Sequence, residues 1–220
     1  SNIISLQPGA RNIYLRDVDG DGLPDLYVLF AQAREQVSLF HNKGRGMFEE
    51  EVLLRFPPVF GSSYLEMADM NGDGKEDLVI ADGDNADYSF SFKPFHGVRI
   101  FLNDGKGGYA EKWFYPAYGA TKALAVDFDG DGDKDIAMIA FFSEPGKKES
   151  FIYFENLGGM HFKPRGMNVP DGKWLVMEAD DMDRDGDVDL ILGNFEFGPE
   201  NEAKPTKNIQ ALVLRNRTKR

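Results

Sequence analysis

Short apolar runs bounded by Asp, Asn and Gly recur along the whole chain. Four of them begin directly after an acidic segment and end in small or turn-prone residues: 25–30, 77–82, 135–141 and 189–195. Runs of this length and flanking predict buried β-strands rather than helices. The pattern therefore predicts an all-β chain in which the acidic segments lie in tight connections between strands.

The predicted strands follow a repeated order. An apolar stretch leads into each acidic segment, the run described above follows it, and a third run ends in Asn. After that Asn comes a Gly-rich turn in the first three repeats, as in VSLFHNKGRG from Val37 and VRIFLNDGKG from Val98. Asn and Gly supply the positive φ angles that a tight hairpin needs. A fourth run follows in those three repeats, whereas the fourth repeat keeps only a third run at 211–216.

The repeats have a nearly constant length. The first aspartates of the acidic segments are Asp17, Asp69, Asp127 and Asp181, which are 52, 58 and 54 residues apart. A period of this size indicates an array of supersecondary units that bury their apolar faces against one another. Four antiparallel strands per unit predict the blades of a β-propeller. We expect a single domain over 1–220, with repeats at about 8–58, 59–116, 117–169 and 170–220.

The acidic segments share the pattern Asp-x-(Asp/Asn)-x-Asp-Gly-x-x-Asp. Acidic residues at positions 1, 3 and 5 point into one concavity when the backbone curls around a cation, and glycine at position 6 permits the bend. Oxygen ligands of this kind suit calcium, which accepts six to eight of them. The EF-hand needs a Glu at position 12, but that position holds Val28, Ile80, Met138 and Leu192. The loops are therefore predicted calcium sites of another architecture, which end at position 9.

The acidic loop together with the apolar-Asn-x-Gly hairpin resembles the FG-GAP/VCBS repeats, the calcium-loop propellers related to the integrin α head. Segments 83–105 and 119–137 resemble a bacterial, secreted branch of them. The resemblance implies calcium ligation by side chains 1, 3, 5 and 9 and the carbonyl of residue 7. The implied side-chain ligands are Asp17, Asp19, Asp21 and Asp25; Asp69, Asn71, Asp73 and Asp77; Asp127, Asp129, Asp131 and Asp135; Asp181, Asp183, Asp185 and Asp189. The implied carbonyls are those of Leu23, Lys75, Asp133 and Asp187. Arg184 departs from the Gly of the other loops, at a position that is not a ligand.

The number of blades stays open at this point. Residues 2–7 are the candidate for the missing fourth strand of the last blade, which would close a small four-bladed ring. Alternatively, the four blades are part of a larger ring, which is favoured because four is few for this family, or two copies join as an eight-bladed assembly. An incomplete ring would expose sheet edges and favour self-association.

Charge and composition reduce the number of possible partners and cellular locations. The formal net charge is −12, and four calcium ions would reduce it to about −4, so the acidity is explained mainly by ligands. No basic face is available for nucleic acid, no run approaches the ~18 apolar residues of a membrane span, and cysteine is absent. Calcium at millimolar concentration is found outside the cytosol, so we expect a secreted, periplasmic or cell-surface protein.

Two functions follow. The favoured one is a non-catalytic calcium-binding scaffold that binds a protein or glycan through the loops of one rim. The alternative is a carbohydrate-active enzyme resembling a polysaccharide lyase, for which Lys93, His96 and Arg99 are the nearest candidates. Insertion 83–97 carries Tyr88, Phe90, Phe92, Phe95 and His96, and it is either a packed flap or a ligand surface. Trp113 and Trp174 are core residues or sugar-stacking platforms.

Overall fold

The computed structural model describes residues 3–31, 34–84, 93–141, 149–167, 169, 172–195 and 209–218. Its regular elements are fifteen β-strands and one short 3-10 helix at Pro58–Phe60. The strands are β1 Ala10–Arg16, β2 Asp25–Phe30, β3 Glu35–Asn42, β4 Phe48–Phe56, β5 Ser62–Ala68, β6 Asp77–Asp82, β7 Gly97–Asn103, β8 Tyr109–Pro116, β9 Ala120–Val126, β10 Asp135–Ala140, β11 Phe151–Asn156, β12 Phe162–Arg165, β13 Trp174–Asp180, β14 Asp189–Asn194 and β15 Ala211–Leu214. No helix of the described residues is long and apolar enough to cross a membrane.

The strands form four antiparallel meanders in chain order. Sheets one to three have four strands each (β1–β4, β5–β8 and β9–β12), and sheet four has three (β13–β15). Each acidic loop joins the first and second strands of its sheet, and each Asn-Gly turn of the first three sheets joins the third and fourth. This confirms the predicted all-β fold with propeller blades. The repeat boundaries drawn from the sequence stay a prediction.

The first strands of successive sheets lie side by side, β1 against β5, β5 against β9 and β9 against β13. Among the described elements no packing of comparable extent joins β1 to β13. Residues 3–9 form no strand, and Ile3 and Leu6 are exposed. Completion of sheet four by residues 2–7 therefore stays a prediction, as does the size of the ring.

The apolar core is divided into layers between consecutive sheets. The earlier sheet of each pair contributes its forward face, which we define by two residues: the one two positions after position 9 of the acidic loop, and its cross-strand partner on the third strand. The following sheet contributes its rear face, which we define by the residues four and two positions before position 1 of its own acidic loop. Tyr27 and Leu39 of sheet one, for example, pack with Leu65 and Met67 of sheet two. Two further clusters repeat this arrangement between sheets two and three and between sheets three and four.

A β-bulge in every first strand adds a polar contact to these layers. The register of each first and second strand shifts by one residue, which leaves Arg11, Ser63, Thr121 and Leu175 as the extra residues. Ser63 Oγ lies 2.9 Å from the carbonyl oxygen of Ala81 in its own sheet and 2.9 Å from that of Ala120 in the next, so its hydroxyl can donate to either; Thr121 Oγ1 lies 3.3 Å from Trp174 O. Arg11 forms an ion pair with Asp84 of sheet two at 2.9 Å. The bulged residue thus connects each of the first three sheets to the following one.

Candidate metal centres

The aspartate at position 1 of each loop is held by backbone N–H groups of its own loop. Asp17 Oδ1 accepts from Gly20 at 2.9 Å and from Asp21 at 3.1 Å, and Asp17 Oδ2 accepts from Gly22 at 3.0 Å. The same bond from the sixth N–H recurs at Asp69, Asp127 and Asp181. Each loop is therefore curled around its first carboxylate by hydrogen bonds within the loop.

The glycine at position 6 is required by backbone conformation rather than by lack of space. Gly22, Gly74, Gly132 and Gly186 have φ between 83° and 99°, a region that side chains rarely adopt. A Cβ added at any of the four would meet no atom within 4 Å. The sharp bend predicted from the sequence is thus present in all four loops.

Position 4 distinguishes the fourth loop from the other three. Gly20, Gly72 and Gly130 have φ of 75° to 77°, and Arg184 adopts the same left-handed conformation with φ of 62°. The left-handed region costs roughly 1–2 kcal/mol for a residue with a Cβ. Arg184 is accommodated, as expected for a position that is not a ligand, but at a cost in backbone strain.

The aspartate at position 9 is buried in every loop and ties the loop to the third strand. Asp135 Oδ2 accepts from the N–H of Phe128 at 3.1 Å, and Asp135 Oδ1 accepts from the N–H of Asn156 at 2.8 Å. Tyr153 donates its hydroxyl to the same carboxylate at 2.8 Å. The two backbone bonds recur from Val18 and Asn42 to Asp25, from Met70 and Asn103 to Asp77, and from Met182 and Asn216 to Asp189.

An asparagine at the end of the third strand in sheets one to three, and two residues after it in sheet four, completes this connection, which we call the Asp–Asn clamp. Asn42 Nδ2 donates to Pro24 O at 3.0 Å, and Asn42 Oδ1 accepts from the N–H of Gly44 at 3.0 Å. Asn103 and Asn156 make both bonds at the equivalent places. Asn216 keeps the turn bond, to Thr218, but donates its Nδ2 to Phe128 O of sheet three.

The sequence predicted this asparagine as a turn residue only and missed its role in the loop. A signal was available, because the residues that follow it differ between repeats. Position +1 is Lys43, Asp104, Leu157 or Arg217, and the Gly at +2 is replaced by Thr218 in the fourth repeat. Asn alone is retained in all four, which a role limited to the Gly-rich turn does not explain.

Carboxylates at positions 1, 3 and 9 converge in three of the loops. Their oxygens lie within 4.8 Å of one another in the groups Asp17–Asp19–Asp25, Asp127–Asp129–Asp135 and Asp181–Asp183–Asp189. Calcium–oxygen distances of 2.3–2.6 Å place two ligands of one ion at most about 5 Å apart. The groups therefore fit a single calcium each. In the second loop Asn71 supplies an amide oxygen at position 3, so that loop has one carboxylate fewer.

The aspartates at position 5 lie outside these groups. Each accepts a hydrogen bond through Oδ1 from the N–H of the residue at position 7. The four pairs are Asp21 and Leu23, Asp73 and Lys75, Asp131 and Asp133, and Asp185 and Asp187. Ligation by the position-5 carboxylates and by the position-7 carbonyls stays a prediction.

Cationic side chains reach two of the four loops. Lys75 Nζ lies 3.0 Å from Asp73 Oδ2 in the second loop, and Arg215 Nη1 lies 3.2 Å from Asp183 Oδ2 in the fourth. In the part of the chain that the structure describes, the first and third loops show no such ion pair. The first and third loops therefore concentrate their negative charge with less compensation from the protein.

Burial raises the pKa of Asp77 and Asp135 above the usual range for aspartate, although backbone N–H groups offset part of the effect. Burial and the neighbouring aspartates raise the pKa of Asp129 as well. The ammonium of Lys75 lowers the pKa of Asp73. A buried carboxylate that is poorly solvated as an anion gains from an adjacent divalent cation, which favours metal binding at position 9.

The comparison with known families agrees with this geometry. The profile described as "FG-GAP-like repeat" matches residues 5–80 and 81–138, together more than half of the chain. The chain belongs to the FG-GAP-like repeat family. The predicted family resemblance is thereby confirmed, and the matched residues include three of the four acidic loops.

Integrin α chains are among the curated relatives of this FG-GAP-like chain. It is 30% identical to integrin alpha-4 of Xenopus laevis over 149 residues, which are 58% of this chain and 14% of the relative. It is 25% identical to integrin alpha-V of Gallus gallus over 231 aligned residues, 94% of this chain and 22% of the relative. It is 31% identical to integrin alpha-3 of Mus musculus over 115 residues, which are 48% of this chain and 10% of the relative. The chain thus spans about a fifth or less of each relative's length.

A second group of polar residues lies buried between the first and second sheets, close to insertion 83–97. Glu35 accepts from the N–H groups of Gly61 and Ser62, both at 3.1 Å. Ser62 Oγ lies 3.0 Å from Glu35 Oε2 and 2.9 Å from Asp82 Oδ1. The single hydroxyl proton of Ser62 can serve only one carboxylate at a time, so two buried acids compete for it.

Arg99 provides the positive charge of this cluster. Its Nε donates to Asp82 Oδ2 and its Nη1 to Glu111 Oε2, both at 2.9 Å. The guanidinium carbon lies 4.4 Å from the ring centre of Phe60 and 3.9 Å from that of Phe114. Burial raises the pKa of Asp82 to about 7, although Ser62 and Arg99 oppose the effect. Burial also raises the pKa of Glu35.

The candidate catalytic residues of the insertion are packed rather than presented to solvent. His96 is fully buried, and its ring stacks on Tyr118 with centroids 5.7 Å apart. Arg99 Nη2 donates to Phe95 O at 3.0 Å. Tyr88, Phe90 and Phe92 lie outside the described residues. The structure does not bring Lys93, His96 and Arg99 into one accessible cleft.

The two tryptophans also lie in the core layers. Trp174 is buried in the cluster between sheets three and four. Trp113 is half-buried, and its ring lies 5.5 Å from Phe154 and 4.8 Å from Phe162 between sheets two and three. Neither indole is available as an open platform for a sugar ring.

Replacing Arg184 by Gly should stabilise the protein by about 1 kcal/mol, because glycine adopts the left-handed conformation without a Cβ clash. Arg184→Ala is the matched control, since it removes the same side chain but keeps the strain. The free energy of unfolding of both variants is measured by urea denaturation at saturating calcium. Equal stability of the Gly and Ala variants would contradict the strain argument.

Replacing Asp82 by Asn should change how stability depends on pH. The native pKa of about 7 lies above the ordinary value of 3.8, so the native state takes up a proton first as the pH falls. As the pH falls from 8 to 5, the free energy of unfolding of the wild type should therefore rise relative to that of the variant, by on the order of 2 kcal/mol. Urea denaturation of both proteins across this range measures the difference.

Asp104→Asn is the control for that experiment. Backbone N–H groups of Lys106 and Gly108 lower the pKa of the exposed Asp104, so its contribution is lost only below pH 4. The difference between wild type and Asp104→Asn should be flat between pH 8 and pH 5. A flat difference for Asp82→Asn as well would contradict the raised pKa.

Proposed function

We propose that this chain is a calcium-stabilised β-propeller module of an exported protein, which binds a protein or glycan without catalysing a reaction. The observation that carries the proposal is the fourfold recurrence of one loop, with the same buried aspartate, the same backbone N–H donors to it and the same curled backbone in each sheet. A solvated acidic turn that binds nothing would not require a buried aspartate with the same N–H donors in all four copies.

The proposed ion is calcium, about four per chain. All side-chain donors of the loops are oxygens, which suit a hard cation, and the loops offer no thiolate or imidazole. Side chains at positions 1, 3, 5 and 9 and the carbonyl at position 7 would hold the ion. The bound ion would neutralise carboxylates that otherwise repel one another, and it would fix the connection between the first two strands.

The stabilisation by calcium depends on the calcium concentration, and this links the proposed structural role to the place where the protein acts. At a calcium concentration ten times the dissociation constant, each site contributes ~1.4 kcal/mol to stability. Four sites then contribute about 5–6 kcal/mol, comparable to the stability of a whole domain. Extracellular modules bind calcium with dissociation constants of roughly 0.1–1 mM. The protein is therefore proposed to act outside the cytosol, where calcium is abundant.

The proposed binding surface is the rim opposite the calcium loops. Insertions 83–97, 142–150 and 195–208 all connect a second strand to a third, whereas the acidic loops connect first strands to second strands. Long connections on one rim of a repeat fold commonly build a ligand surface. The net charge of −12 disfavours nucleic acid as the ligand.

The non-catalytic role is supported by the residues near the insertion of sheet two. A lyase needs a base and a charge-neutralising group in one accessible cleft. His96 is buried against Tyr118, and the guanidinium of Arg99 is engaged by Asp82 and Glu111. These contacts favour the scaffold over the enzyme.

Calcium titration by isothermal calorimetry should give about four ions per chain. Asp127→Ala combined with Asp131→Ala removes two ligands of one loop and should lower this number by one. EDTA should lower the melting temperature of the wild type by about 10–20 °C, because about 5–6 kcal/mol of ligand-linked stability is lost. Differential scanning calorimetry in calcium and in EDTA measures the shift.

Glu49→Ala combined with Asp104→Ala is the control, since it removes two exposed acids from hairpins outside the acidic loops. This variant should keep the calcium number and the EDTA effect of the wild type. A melting temperature that does not respond to EDTA would refute the structural role of calcium.

The ligand half of the proposal is tested with calcium-loaded protein on protein and glycan arrays. We expect binding without turnover when the bound class is incubated with the protein and the products are analysed by mass spectrometry. Reproducible product formation from a bound polysaccharide would favour the lyase instead.

A further inference from the structure

Asn71, at position 3 of the second loop, is the one asparagine in the sequence that glycine follows. Asn71 and Gly72 are both exposed, and Gly72 has a φ of 75°. A Cβ added at Gly72 would meet no atom of the described residues within 4 Å. The peptide bond between the two residues is therefore open to solvent, and its nitrogen lacks the steric protection that a neighbouring side chain gives.

Two hydrogen bonds of the curled loop restrain this pair of residues. Gly72 N–H donates to Asp69 Oδ1 at 2.8 Å, and Asn71 Oδ1 accepts from the N–H of Asp73 at 2.9 Å. Both bonds are exposed, so water replaces them at a net cost of only about 1 kcal/mol each. The loop therefore opens locally at small cost, and opening releases the nitrogen of Gly72 and the side-chain amide of Asn71 together.

We propose that Asn71 is a site of spontaneous deamidation, at which the side-chain amide is converted to a carboxylate. The backbone nitrogen of Gly72 gives up its proton and attacks Cγ of Asn71. The bond between Cγ and the side-chain nitrogen breaks, and that nitrogen takes up a proton and leaves as ammonia. Water then opens the resulting succinimide ring. Opening at one carbonyl gives aspartate, and opening at the other gives isoaspartate, in which the main chain runs through the former side chain.

The two products change the second loop in opposite ways. Aspartate at position 3 would give this loop carboxylates at positions 1, 3 and 9, as in the groups of the other three loops. Isoaspartate lengthens the main chain by the Cβ atom and displaces the N–H groups of Gly72 and Asp73, which Asp69 Oδ1 accepts at 2.8 Å and 3.1 Å. The first product should strengthen cation binding by the loop, and the second should uncurl it.

The dependence of the deamidation rate on calcium rests on the function proposed above, whereas the reaction itself does not. An ion held by Asp69 and by Asn71 Oδ1 would keep the amide and the N–H of Gly72 in the curled loop. A ligand that binds only the curled loop lowers the open fraction by a factor of 1 + [L]/Kd. At ten times the dissociation constant, calcium should therefore slow the reaction about tenfold.

The experiment incubates the full chain for several weeks at mildly alkaline pH, either in millimolar calcium or in EDTA. Peptide mapping by mass spectrometry follows the peptide that contains Asn71, with a sample digested at zero time to account for deamidation during digestion. Replacement of the amino group by a hydroxyl raises the mass of this peptide by about 1 Da. The increase should appear in both solutions, about tenfold faster in EDTA.

Asn103 is the internal control in the same sheet. Its Oδ1 accepts from the N–H of Gly105 at 2.8 Å, the same contact two residues along the chain that Asn71 makes with Asp73. The residue after Asn103 is Asp104 rather than glycine, so its peptide should keep its mass. Asn71→Gln is the matched variant, because glutamine keeps the amide but forms a larger ring much more slowly. It should abolish the mass increase.

No mass increase at Asn71 in either solution, or an equal increase at Asn103, would overturn the proposal. An increase confined to Asn71 that is equally fast in calcium and in EDTA would support the deamidation and contradict calcium ligation by the second loop. Asn71→Asp reproduces the first product, and calorimetric titration should show calcium binding to its second loop tightened on the order of tenfold. Unchanged calcium binding by this variant would overturn the effect assigned to that product.

Discussion

The buried aspartate at position 9 is the constraint on which each sheet depends. Its carboxylate accepts from the N–H of position 2 in the loop and from the N–H of the Asn that ends the third strand. The loop, the second strand and the third strand therefore meet at one buried charge. Leaving such a charge without partners would cost several kcal/mol, so the loop cannot relax without disturbing the hairpin. In the first three repeats the acidic loop and the Gly-rich turn, which lie far apart in the sequence, therefore act as one unit.

The junctions between sheets also rely on one recurring polar contact. In the first three sheets a one-residue bulge of the first strand directs a side chain toward the following sheet, where Ser63 and Thr121 bond backbone carbonyls. Among the described strands the extensive contacts between sheets join consecutive sheets, so stability is close to a sum of sheet and junction contributions. Faces at the two ends of such an array keep the apolar character of internal ones. Ile13 and Ile191 continue the internal apolar pattern on the first and last described sheets, and both are exposed.

Much of the fold could be predicted from the sequence, since the strand pattern, the period and the loops are all local signals. Position 9 could be recognised because Asp25, Asp77, Asp135 and Asp189 follow a fixed spacing. The clamp could not be placed in the same way, because 17 to 27 residues separate each of these aspartates from its Asn. The bulges leave no local signature, since Arg11, Ser63, Thr121 and Leu175 share no chemistry. Burial of His96 and Arg99 likewise depends on contacts with rings distant in sequence, such as Tyr118 and Phe60.

The four loops share a backbone conformation but not an electrostatic environment, and this difference bears on how strongly each loop would attract a cation. Lys75 and Arg215 bring a positive charge to the second and fourth loops, where they reduce the repulsion between carboxylates. The second loop also carries Asn71, which lowers its negative charge further. The first and third loops lack both features among the described residues, so they hold the most uncompensated charge. A cation bound there would relieve the most repulsion, and it would lie beside Asp25 and Asp135, which bond the third strands of sheets one and three.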